Sequence, residues 1–120
     1  MNSTSTAWGP PNGFDHVAFT IFVQVPGRAG GTAVMPFQNA SLPKAMDWDY
    51  RLRAHGWTNA LFTSAGATAT SDGTSTAPAA AIEVDAANNT IAFTLSGAVL
   101  GGLKSLSGTK VYITTWDYDG

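Results

Sequence analysis

The residues best equipped for chemistry come in two similar groups. Residues 46–52 read M-D-W-D-Y-R-L, and residues 114–120 read T-T-W-D-Y-D-G. Trp-Asp-Tyr thus occurs twice in a chain with 4 Trp and 3 Tyr, each time beside a second Asp. Three chemistries fit. Flat aromatic rings stack on the apolar C–H faces of sugars while nearby Asp and Arg bond the hydroxyls. Paired carboxylates hydrolyse glycosidic bonds when they lie about 5–10 Å apart with opposed pKa values. Clustered Asp side chains and loop carbonyls hold hard cations.

For an aromatic platform, Trp48, Tyr50, Trp57, Trp116 and Tyr118 supply rings, and Arg51 and Asp117 supply polar partners. Trp8, in a Pro/Gly-rich lead-in, and Trp57, just after Gly56, are placed for exposure. The competing reading is a buried core. In an extended strand alternate residues share a face, so each Trp-Asp-Tyr turns its rings one way and its Asp the other. For catalysis, Asp47/Asp49 and Asp117/Asp119 are i, i+2 pairs, and His55 is the nearest candidate base. No apolar pocket around an acid is legible, and no G-x-S-x-G elbow occurs. For a metal, the D-x-D-G ending at Asp117 and Asp119 resembles the start of a calcium loop without its later acidic ligand. No cofactor is expected, with calcium as the alternative that this ending raises.

These residues must be positioned by strands. Residues 15–25, DHVAFTIFVQV, alternate and are rich in β-branched and aromatic side chains, which predicts a central strand. Residues 48–55 alternate apolar with charged, and 57–63 read as their hairpin partner. Residues 81–85 and 90–95 flank Asn88-Asn89 and predict a second hairpin. Residues 32–37 and 110–116 read as two more strands. Residues 64–79, SAGATATSDGTSTAPA, predict a mobile surface loop. Residues 96–108 allow at most one helical turn, because Gly97, Gly101 and Gly102 interrupt it. The expected fold is all-β: an antiparallel β-sandwich, immunoglobulin-like or jelly-roll-like, with six or seven strands at 15–120 after a lead-in at 1–14.

Composition narrows the partners. Charged residues make up 12%, about half the usual share, and the net charge is −2. Six scattered basic residues leave no nucleic-acid footprint. There is no Cys and no apolar run long enough to span a membrane. The first residues carry no signal-peptide pattern.

Taken in order, GFDHVAFTIFVQVPG (13–27), NASLP (39–43), WDYRLRAHGW (48–57) and VYITTWDYDG (111–120) resemble the C-terminal module of glucodextranase-like and amylase-type glycoside hydrolases, related to the DOMON and family 9 carbohydrate-binding-module sandwiches. The resemblance covers residues 8–120 and fits the later part of such a module. Because the chain begins just before its best strand and ends straight after another, the expectation is a truncated module. The resemblance implies a noncatalytic accessory module of a secreted or periplasmic glycosidase, with an α-glucan-type polysaccharide as partner. It carries over no ligand residues. Two alternatives stay open: a small glycan hydrolase using Asp residues with His55, and a structural domain that dimerises through exposed strand edges.

Overall fold

The computed structural model describes residues 6–117. Its secondary structure is strand, turn and loop, with no helix among the described residues. Nine strands occur in chain order: β1 (Val17–Gln24), β2 (Val34–Met35), β3 (Ala40–Ser41), β4 (Tyr50–His55), β5 (Thr58–Thr63), β6 (Thr74–Thr76), β7 (Ala81–Asp85), β8 (Thr90–Thr94) and β9 (Lys110–Asp117). Five of them form one antiparallel sheet in the order β6-β5-β4-β1-β9. The most strongly alternating segment, β1, lies inside this sheet, as expected for a strand apolar on both faces.

Two small antiparallel pairs cover the two faces. The β7–β8 hairpin and the segment after it lie on one face. There Val23, Tyr50, Leu52, Ala54 and Leu61 pack against Ala80, Ile82, Phe93, Leu100 and Leu103. The β2–β3 pair and its flanking loops lie on the other. There Phe22 meets Trp48, Met35, Leu42 and Met46. The result is a sheet sandwiched between two smaller layers, so every inner strand must bury both faces. Two of the nine strands, β3 and β6, were not among the six or seven expected from sequence. β3 falls in a stretch that reads as loop, and β6 falls inside 64–79, where it hydrogen-bonds to β5. The lead-in also reaches the interior: Phe14 is fully buried, edge-on to Phe19 and Phe93.

Candidate functional site

Strand alternation predicts that Trp48 and Tyr50 share a face. They lie on opposite faces. Regular pairing of β4 begins at Tyr50, opposite Val23, and the chain bends at Asp49. The bend is held from three directions. The Asp49 N–H donates to the Val23 carbonyl (2.8 Å), its carbonyl accepts from the Ser64 N–H (3.0 Å), and its carboxylate accepts from the Val25 N–H (2.7 Å). Trp48 is therefore turned into the β2–β3 layer. It is fully buried, its ring centroid is 5.9 Å from that of Phe22, and its Nε1–H donates to the Val34 carbonyl at 2.7 Å. Tyr50 is buried in the opposite core beneath the Arg28 guanidinium, 4.7 Å from the ring centroid.

Arg51 is buried as well. It pairs with the Asp72 carboxylate, donates to the Asp72 carbonyl at 3.3 Å and approaches the rings of Trp48 and Phe62. Burial pushes the Arg51 guanidinium pKa below its ordinary value, and the bond to Asp72 opposes that. Trp48, Tyr50 and Arg51, all candidates for ligand contact from sequence, are thus buried. The second layer over each face is what converts them, because a one-sided sheet would have left one of these faces wet.

The rings that remain available gather on the Arg51 face. β4 places Arg51, Arg53 and His55 on that face in turn. Beside them, Ala18, Thr20, Arg51, Arg53, Asp72, Pro36, Phe37, Gln38 and Trp116 line a groove of about 200 Å³. Its rims are aromatic: Trp116 is 56% exposed and Phe37 is 61% exposed. Phe37 is held outward by a left-handed backbone (φ 61°) and by its N–H, which donates to Ala69 at 2.9 Å. The floor is polar. Arg53 lies 3.8 Å from the Asp72 carboxylate with about half its side chain in solvent.

A second aromatic group adjoins this groove. The rings of Trp8 and His16 are 3.9 Å apart, those of Trp8 and Trp57 are 6.3 Å apart, and those of Trp57 and His55 are 6.5 Å apart. Trp8 and Trp57 are each a little over 40% exposed, as their turn settings predict. The Trp8 N–H donates to buried Asp15 at 2.9 Å. Burial, and then Arg53, push the His55 pKa below its ordinary value. Strand register links the two groups. Trp116 lies opposite Ala18 on β1, and the β1–β4 register carried one step past Phe19 and Ala54 brings Ala18 level with His55. Trp116 and His55 are thus two strand spacings apart, roughly 10 Å, on either side of Ala18.

Other candidates separate. Asp117, exposed at the end of β9, lies opposite Val17 on the other sheet face from Trp116. Tyr118 and Asp119 lie outside the described residues, and so does the acid pair that Asp119 would complete. Asp49 and His55 stand at opposite ends of β4, about 20 Å apart by strand rise, so that acid pair and the candidate base do not converge. Sequence reading missed Phe37, Gln38 and Asp72. The first two follow Pro36 in a turn, and Asp72 sits in the low-complexity stretch. The Gly73 signal is local: a Cβ there would strike the Thr63 carbonyl, so glycine lets the Asp72 loop close on the sheet.

The whole chain, residues 1–120, matches the family model for the C-terminal, SLH-like binding module of glucodextranase. The chain belongs to that family. Comparison with curated proteins and with solved structures gives no match. No helix is long and apolar enough to cross a membrane among the described residues.

Proposed function

We propose that this module binds polysaccharide, of the α-glucan type, along the face that carries Trp116, Phe37, Trp8 and Trp57, as the noncatalytic accessory part of a secreted or cell-surface glycoside hydrolase. The observation that carries the reading is the groove in which two exposed rings flank Arg53, Asp72 and Gln38. Rings offer stacking to sugar C–H faces, and Arg53, Asp72 and Gln38 offer donors and acceptors to hydroxyls. The Trp8–Trp57 group extends the same surface, which suits a chain of sugars better than a single ring. Affinity electrophoresis on starch, dextran, pullulan and xylan tests it. Retardation on at least one gel, weakened by Trp116→Ala and by Trp57→Ala, supports the reading, and migration unaffected by all four polysaccharides overturns it.

A second reading draws on a different feature. On β9, Val111 (57% exposed) and Ile113 (56%) face solvent, and no strand pairs with the outer edge among the described residues. Such an edge supports pairing with a second copy of the chain.

A further inference from the structure

The groove beneath Trp116 and Phe37 holds more positive charge than negative. Its ionised lining is two guanidiniums, Arg51 and Arg53, and one carboxylate, Asp72. Asp72 is committed to Arg51. It pairs with that buried guanidinium, which also donates to the Asp72 carbonyl at 3.3 Å. The same carboxylate stands 3.8 Å from Arg53, beyond hydrogen-bond distance. One anion therefore serves two cations. The cation left in surplus is the one that solvent reaches: the Arg53 side chain is 46% exposed and that of Arg51 is 1% exposed.

No other acid lines the groove among the described residues. Asp15, in the adjoining aromatic group, is buried, accepts from the Trp8 N–H and lies 3.6 Å from His16. Asp117 lies on the other face of the sheet. His55, next but one along β4, adds no negative charge, and burial and then Arg53 keep its imidazole from gaining a proton easily. The chain as a whole carries a net charge of −2, so the surplus of positive charge is local to this groove.

We infer that the sugar this groove selects carries a carboxylate, as in a polysaccharide with uronic-acid units, and that Arg53 is the residue that recognises it. The inference rests on the glycan face proposed above and refines its ligand. A guanidinium fork meets a carboxylate in two parallel N–H···O bonds, both charge-assisted. A neutral sugar offers Arg53 only hydroxyls and leaves its charge unbalanced. The exposed rings of Trp116 and Phe37 at the rims supply stacking for the sugar that bears the acid.

The test is isothermal titration calorimetry on the full chain. Oligogalacturonate and oligoglucuronate are compared with isomaltooligosaccharide of matched length, with the same uronates reduced at their carboxyls to neutral alcohols, and with sulfated isomaltooligosaccharide. At least one uronate should bind about tenfold or more tighter than its reduced form, as hydrogen bonds to charged groups allow, and the gain should shrink as salt is raised. In Arg53→Gln the ratio of uronate to neutral affinity should fall by about the same factor, and Arg53→Lys should recover only part of it, because an ammonium keeps the charge without the fork. Uronates that bind no tighter than their reduced forms overturn the inference, and so does an unchanged ratio in Arg53→Gln. Should that variant fold poorly, the sugar series on the wild-type chain decides. Sulfated sugar bound as tightly as uronate overturns recognition of the carboxylate. If the neutral glucan binds and the uronates do not, this inference falls and the α-glucan reading stands; if only the uronates bind, the reverse holds; if no sugar binds, both fall.

Discussion

At the scale of single residues, the four tryptophans divide by a property that sequence did not display. Trp48 fills a core and bonds Val34, whereas Trp8, Trp57 and Trp116 keep large parts of their rings in solvent. The two roles predict opposite results from the same substitution. Trp48→Ala opens a cavity and should cost about 3–5 kcal/mol of stability in urea unfolding. Trp116→Ala removes an exposed ring and should change stability by roughly 0.5 kcal/mol or less. It should instead weaken polysaccharide retardation, by about tenfold if the ring supplies a stacking contact worth roughly 1.4 kcal/mol. Equal loss of stability in both variants would show that Trp116 is part of the packing. The exposure of Trp8 and Trp57 was legible because each adjoins a glycine turn. The burial of Trp48 was not, because it depends on one bend at Asp49 whose three hydrogen bonds come from Val23, Val25 and Ser64.

At the scale of elements, β1, β4, β5 and the β7–β8 hairpin were readable from alternation and turn residues alone. What alternation cannot supply is the second covering layer. β4 reads as one apolar and one charged face, yet Arg51 on the charged face is buried because Asp72, twenty-one residues on, folds back over it. Such a pair is asymmetric. Asp72→Asn leaves a buried cation short of its counter-charge and should destabilise by about 3–5 kcal/mol, whereas Arg51→Met removes charge and desolvation together and should cost much less. Comparing the two urea midpoints checks this, and a larger loss for Arg51→Met would contradict it.

The bend between Trp48 and Tyr50 carries its own pH signature. Burial raises the Asp49 pKa above the ordinary 3.8, opposed by the Val25 bond and by Arg28. The folded protein therefore holds this proton more tightly than the unfolded chain. Stability from Asp49 is full below the unfolded value and falls as pH rises through the folded one. Wild type minus Asp49→Asn, each measured in urea from about pH 4 to neutrality, should give a difference that declines with pH. A difference that grows with pH would mean that Asp49 is held ionised by a partner at its Oδ1.

At the scale of the whole molecule, the sheet is protected unevenly. β6 at one edge is three residues long, a common way to blunt an edge, but β9 at the other runs eight residues and exposes side chains on both faces. The β7–β8 layer covers β1, β4 and β5 and stops short of β9, so Val111 and Ile113 extend an apolar face past its cover. Two copies joined edge to edge by a two-fold axis normal to the sheet keep like faces together, which requires opposed residues of equal parity. Centring the axis on Ile113 sets Ile113 against itself, Val111 against Thr115, and Lys110 against the Trp116 ring, a pairing without like charges and with a cation–π contact at each end. Ile113→Lys would place two ammonium groups face to face at that centre. The wild-type chain should then associate with rising concentration in size-exclusion chromatography with light scattering, and Ile113→Lys should stay monomeric with little change in melting temperature. A wild type that remains monomeric throughout, or a variant that associates as strongly, would assign β9 no part in self-association.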